Sequence, residues 1–136
     1  MTFLLDTNVL SETRRARPDA GVVDWLRHAD DAALHISVLT IGEIAKGITL
    51  LAKRDPVAAA SLHLWLNGIR LHYAARIISI DAEIAETWGQ MNAERSLPVV
   101  DGLLAATARV HGMTLVTRNV RDVEGTGVMV VNPWTD

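Results

Sequence analysis

Short apolar runs alternate with stretches of helical periodicity along the chain, and this alternation limits the fold more than any other feature. The runs fall at residues 2–5, 35–37, 77–80 and 113–117, with a last β-rich run at 128–131. Each is short and largely apolar, which suits strands buried on both faces in a mostly parallel sheet covered by helices. Parallel neighbours need crossover connections, and the intervening helical stretches supply them. The expected class is therefore α/β, as a single domain over residues 1–136.

Helix boundaries carry their own signals. Asp19 is placed to cap a helix from about Gly21 to Ala29, with Val22, Trp25, Leu26 and Ala29 at helical spacing. Another helix is expected from Val38, whose apolar positions Val38, Ile41, Ile44 and Ile48 step by three and four. Asp55-Pro56 starts a second long helix, running to about Leu71, and the two should form a hairpin. Asp81 caps a helix that carries Ile84, Ala85 and Trp88 inward as far as about Arg95. Leu97-Pro98 breaks the chain, an Ala-rich helix spans 100–111, and Gly112 stops it where a left-handed residue is wanted.

The chain has no cysteine, which removes disulfides, thiolate zinc sites, iron–sulfur clusters and a Cys nucleophile, and fits a cytoplasmic setting. A net charge of −3 and a pI near 5.9 mean that the whole-molecule field does not attract nucleic acid or an anionic membrane. Any polyanion site has to be local. The apolar start ends at Asp6, too early for a signal-peptide core, and no uncharged apolar run approaches the roughly 18 residues of a membrane span. Neither secretion nor membrane insertion is expected. A mean hydropathy of +0.19 leaves apolar surface for a partner.

In open α/β sheets, functional groups gather beyond the carboxyl ends of the strands. Asp6 follows the first strand, Glu43 lies in the helix after the second, and Asp101 opens the helix before the strand at 113–117. Thr117, Arg118, Asn119 and Asp122 follow that strand. Asp101 is the only charged residue between Ser96 and Ala108, so its carboxylate wants a partner. Two unit charges about 4 Å apart repel by roughly 4 kcal/mol at an effective dielectric near 20. A shared proton, a basic side chain or a hard divalent cation can offset that cost. The chain holds two lysines, Lys46 and Lys53, and an all-oxygen donor set without Cys favours Mg2+ or Mn2+ over zinc. Asn8, Ser37, Thr117 and Asn119 can add neutral oxygens or hold the waters of a bound ion.

Taken singly, the same acids have ordinary readings. Asp6 can cap the first helix, Glu43 can sit on an exposed polar stripe with Thr40 and Lys46, and Asp101 can be a first-turn acid favoured by the helix dipole. Asp122 can be a solvated loop residue. Only their joint placement at one edge sets them apart. Glycine-rich phosphate loops are absent, Gly125-Thr126-Gly127 reads as a turn, and the five histidines lack ligand spacing. The tryptophans are mostly at helical core spacing and form no base-stacking platform. Arg14, Arg15, Arg118 and Arg121 are either solvated surface or contacts to phosphate.

Four segments occur in order along the chain: Leu4-Leu5-Asp6-Thr7-Asn8-Val9-Leu10; Ser37 followed six residues later by Glu43; Val100-Asp101-Gly102-Leu103-Leu104-Ala105-Ala106-Thr107-Ala108; and Leu115-Val116-Thr117-Arg118-Asn119. Together they resemble a PIN domain of the VapC type, the toxin ribonucleases of bacterial and archaeal toxin–antitoxin pairs. The closing stretch, 122–127 with Asn132-Pro133-Trp134, is similar to the FitB-like branch. The resemblance implies a three-layer fold on a parallel sheet of about five strands, order 3-2-1-4-5, with the site at its carboxyl edge. It implies that Asp6, Glu43 and Asp101 are the core acids and that Asp6 and Asp101 hold Mg2+ or Mn2+. Asn119 stands where many members carry Asp, and Asp122 is the nearest acid able to serve as a fourth catalytic group. Thr117 and Asn8 match supporting positions.

The implied activity is metal-dependent endoribonuclease cleavage of tRNA, rRNA or mRNA, by in-line attack of an activated water that leaves a 5′-phosphate and a 3′-hydroxyl. The acidic pocket repels RNA, so metal charge and rim arginines have to supply attraction. The implied partners are a VapB-like antitoxin, a second copy in a homodimer, a heterotetramer or larger assembly with the antitoxin, and operator DNA through the antitoxin only. Apolar grooves along the early helices would hold the antitoxin chain. The alternative is a catalytically degenerate PIN-like or receiver-like module that binds metal or a protein without cutting RNA. A receiver wants paired acids after its first strand and a lysine after its last, whereas this chain has Asp6-Thr7 and no lysine beyond Lys53.

Overall fold

The computed structural model describes residues 1–135. Strands β1 (Phe3–Leu5), β2 (Leu34–Ser37), β3 (Ile77–Ile78), β4 (Thr114–Val116) and β5 (Val130–Val131) form one sheet in the order β3-β2-β1-β4-β5. Every neighbouring pair is parallel, so both the α/β class and the strand order agree with expectation. The connections are α1 (Thr7–Glu12), α2 (Ala20–His28), α3 (Val38–Ala52), α4 (Pro56–His72), α5 (Ala82–Glu94) and α6 (Val99–His111).

Alternation along the strands divides the core in two. Leu4 and Leu115, paired in register, pack with Ile84, Met91, Leu104 and the alanines of α6. Leu5 and Val116, the next pair, turn the other way and join Val9, Val22, Ile36, Tyr73 and Trp134. Helices therefore cover both faces, as buried parallel strands require. Asp19, Asp55 and Asp81 cap α2, α4 and α5 by accepting N–H bonds of 2.9, 3.0 and 2.9 Å from Gly21, Ala58 and Ile84. Gly112 ends α6 at φ 64°. As expected, α3 packs against α4; α5 packs closely against α6, where a Cβ on Gly102 would come within 3.0 Å of the Trp88 indole.

Strand boundaries differ most from the sequence reading at β3 and β5. Strand β3 stops at Ile78 instead of reaching residue 80, because its partner β2 ends at Ser37, which pairs with Ile78 and caps α3. Strand β5 is confined to Val130–Val131, opposite Leu115 and Val116 of β4. Helix α3 turns Ile44 inward with Ile41 and Ile48 partly buried, as its periodicity predicts, but departs from the reading at two positions: Val38 is exposed, and Thr40, expected on a polar stripe, is fully buried. Among the described residues no helix is long and apolar enough to cross a membrane.

Candidate active site

Asp6 stands where β1 ends, its N–H donating to Val116 O at 2.9 Å and so extending the ladder with β4 by one residue. It occupies the cap position of α1, where its carboxylate faces the Thr7 and Asn8 N–H groups without closing a capping hydrogen bond. Instead Oδ2 accepts from Thr117 Oγ1 at 2.7 Å. That hydroxyl itself accepts from Asn119 N at 3.0 Å and, at longer range, from Asn8 Nδ2 at 3.4 Å. With its acceptor capacity taken up, the Thr117 proton is directed to Asp6. The fully buried hydroxyl thus fixes the carboxylate of the first strand from the end of the fourth.

Burial raises the Asp6 pKa above the usual carboxylate value; the Thr117 bond and the N–H groups of Thr7 and Asn8 work against that rise, and Glu43 adds to it. Glu43 is exposed on α3, and Thr7 Oγ1 donates to its Oε1 at 2.6 Å. Thr7 has one hydroxyl proton, so Thr40, 3.0 Å away, donates to Thr7 in turn. Asp101, half-buried in the first turn of α6, is pushed up to about 6, by burial first and then by Asp6, Asp122 and Glu43. A first-turn acid serving only the helix dipole would be lowered instead. Four carboxylates from β1, α3, α6 and the turn after β4 therefore share one field. Asp6 keeps hydrogen-bond support for its charge, and Asp101, whose pKa reflects only burial and repulsion, is left to take a proton.

Among the described residues no three acidic or histidine side chains stand close enough to enclose one ion. The acids share a field without forming a ligand shell. The donor chemistry nevertheless suits a hard cation: the groups are all oxygens, and buried Asn8 Oδ1 has no hydrogen-bond partner among the described residues while its amide nitrogen contacts the Thr117 hydroxyl that holds Asp6.

The other expected residues divide by what they touch. Ser37 is buried and spends its hydroxyl as the cap of α3, accepting from Leu39 N at 3.0 Å. Asn119 contributes its backbone N–H, with its side chain exposed. Arg15 lies 3.5 Å from Glu12, Arg14 stacks over Trp65 and Arg118 over Trp134, each stack at 5.4 Å. Arg121 is exposed on the turn that holds Asp122. Sequence reasoning missed Thr7 as the residue that orients Glu43; its only local signal is its place between Asp6 and Asn8. Beside Glu43 opens an apolar cleft of about 420 Å³, walled by Val38, Leu39, Gly42, Lys46 and Val100.

Residues 3–123 match the model of the PIN domain. The chain belongs to the PIN-domain family. Over 141 aligned residues it is 33% identical to toxin FitB of Neisseria gonorrhoeae, covering 98% of this chain and 99% of that protein. It is 28% identical over 139 residues to VapC ribonuclease Y4jK of Sinorhizobium fredii, covering 97% of each. The crystal structure of FitAcB from Neisseria gonorrhoeae superposes with a TM-score of 0.91 at 32% identity, over 99% of this chain and all of that one. These likenesses run from end to end, so this is a PIN domain of the VapC and FitB type. Its acids lie at the carboxyl edge of a PIN sheet whose strand order reverses at β1.

Proposed function

We propose that this chain is the ribonuclease toxin of a VapC-type toxin–antitoxin pair and that Asp6, Glu43, Asp101 and Asp122 form its metal-dependent cleavage site. The observation that carries the reading is the gathering of these acids at one sheet edge, where burial first and then their mutual repulsion raise Asp101 to about 6. Asp6 and Asp101 would hold Mg2+ or Mn2+, with Asn8 Oδ1 as a neutral oxygen nearby. When bound, such an ion offsets the charge of the scissile phosphate and makes water a stronger acid.

The chain's own residues do the positioning. Thr117 holds the Asp6 carboxylate in one orientation, and Thr7 does the same for Glu43. Asp101 gives up its proton above pH 6, completing the negative site at neutral pH. Asp122, in the turn after β4 and within electrostatic reach of Asp101, would supply the acid that Asn119 lacks. Arg118 and Arg121 on that turn, and Arg14 and Arg15 near α1, offer positive charge to the incoming phosphates; Arg15 does so in competition with Glu12.

The cleft between Val38, Leu39 and Val100 borders Glu43, so a VapB-like antitoxin lying there can extend a basic side chain into the acids. A homodimer, its larger complexes with antitoxin, and operator DNA contacted through the antitoxin complete the partner set, in the cytoplasm. The test is incubation of purified, antitoxin-free protein with total tRNA and rRNA, with and without Mn2+ or Mg2+, beside Asp101→Asn and Asp6→Ala. Discrete cuts that need metal and both acids are expected. Cleavage retained in both variants, with contaminating nuclease excluded, would remove the assignment; metal binding without any cut would leave the degenerate binding module.

A further inference from the structure

The turn that carries Asp122 runs on into a second concavity, which the cleavage site does not use. This pocket, of about 240 Å³, lies between the end of α5, the last turn of α6 and residues 125–126, and its charged lining is Glu94, Arg95 and Arg109. Its walls are fixed. Arg95 Nη2 donates to Arg121 O at 2.8 Å, which strings the side chain across to the Asp122 turn. Thr126 Oγ1 donates to Val123 O at 2.7 Å, and Gly125, at φ 79°, takes a left-handed conformation that a side chain would disfavour.

The charge balance is unusual for a chain of net −3. Among the described residues, neither Arg95 nor Arg109 comes within 4.0 Å of a carboxylate. Two guanidinium groups without a carboxylate partner therefore meet in a pocket too small for a drug-sized ligand, roughly 300 Å³ or more, yet suited to one tetrahedral anion. Arg109 lies eight residues beyond Asp101 on α6, about 12 Å along the helix axis. Gly125 follows Asp122 by three residues, a span of at most about 10 Å. A strand leaving the acids over this turn reaches the pocket within a short run of nucleotides.

We propose that Arg95 and Arg109 form a subsite for a phosphate of the RNA strand that flanks the scissile bond; the inference rests on the ribonuclease reading. It is tested by fluorescence anisotropy of a labelled single-stranded RNA in the Asp101→Asn protein, which does not turn it over, from 50 to 200 mM salt. The Arg109 side chain makes no hydrogen bond or ion pair among the described residues, so Arg109→Gln is the main variant, with its circular dichroism matched to the parent.

Loss of one phosphate contact lowers the slope of log K against log salt by about 0.7, and Arg109→Lys restores it. Arg95→Gln should act in the same direction, and Glu94→Gln, which removes the one negative group of the lining, should tighten binding. An unchanged slope in both arginine variants would overturn the subsite while leaving the ribonuclease reading intact. Inorganic phosphate binding that depends on Arg109, with an unchanged RNA slope, would likewise overturn the RNA assignment. A parent that binds no RNA at all would overturn the ribonuclease reading together with the subsite.

Discussion

Replacing Asp101 with Asn removes one of four like charges and almost no volume, which makes it a direct probe of the field at the sheet edge. The folded-state pKa of about 6 lies above the ordinary value of 3.8. The folded chain therefore holds this proton more tightly than the unfolded chain does. The stability this contributes is full below about pH 4 and is lost as pH rises through 6. Two units at 1.36 kcal/mol each set a ceiling of about 3 kcal/mol, and because Asp101 is only half-buried, solvent screening reduces it to about 1 kcal/mol. In a metal-free, chelator-containing buffer at pH 8, Asp101→Asn should unfold about 3–5 °C above the wild type, and the advantage should vanish by pH 4. Millimolar Mg2+ or Mn2+ should then raise the melting temperature of the wild type but not of the variant. Thermal melts across pH 4–8 decide the matter. A variant less stable than wild type at pH 8, or a difference independent of pH, would refute the shared-field reasoning.

Two further substitutions probe how the site is held. Thr117→Val removes the donor to Asp6 and the acceptor of Asn119 N–H, so urea denaturation should show a loss of about 2 kcal/mol and initial rates should fall roughly 10–100-fold. Thr117→Ser should recover most of both; cleavage by Thr117→Val at the wild-type rate would remove its orienting role. Gly102→Ala places a Cβ 3.0 Å from the Trp88 indole, and the overpacking cost of about 1–3 kcal/mol should exceed the gain of about 1 kcal/mol in helix propensity. A raised melting temperature for that variant would contradict the close approach of α5 and α6.

The helices were legible where a local chemical signal marks their ends. Asp19, Asp55 and Asp81 cap by hydrogen bonds to N–H groups two or three residues ahead, a geometry that neighbouring residues suffice to create. Strand order came instead from the resemblance, since no apolar run says which neighbour it will pair with. The extent of β3 depends on where β2 ends, and residues 77–80 hold no information about that. Thr40 departs from the polar stripe of α3 for a similar reason: a threonine reads as polar until a hydroxyl thirty-three residues away, on Thr7, satisfies it. At the site, Asp6 followed by Thr-Asn is compatible with a cap or with a ligand. The bond that holds its carboxylate comes from Thr117, 111 residues further on. Arg14 and Arg15 were visible as positive charge, but Trp65 and Glu12, which they contact, were not visible as their partners.

Glu12 and Asp6 show why a buried carboxylate alone does not mark a site. Both are nearly inaccessible, at 6% and 7% exposure. Glu12 is compensated within the fold: its Oε2 accepts from Asp19 N at 2.9 Å, and Arg15 lies 3.5 Å from its Oε1. Asp19 in turn caps α2 and accepts from Thr135 Oγ1 at 2.7 Å, so this acid ties α1 to α2 and to residues near the C-terminus. Among the described residues Asp6 has hydrogen-bond donors but no cationic partner, and the charged groups that perturb it and its neighbour Asp101 are further carboxylates. A fold that surrounds one acid with compensation and gathers others into mutual repulsion leaves the second group for something outside the chain to neutralise. That asymmetry supports the proposed chemistry at the carboxyl edge of β1 and gives Glu12 a structural task.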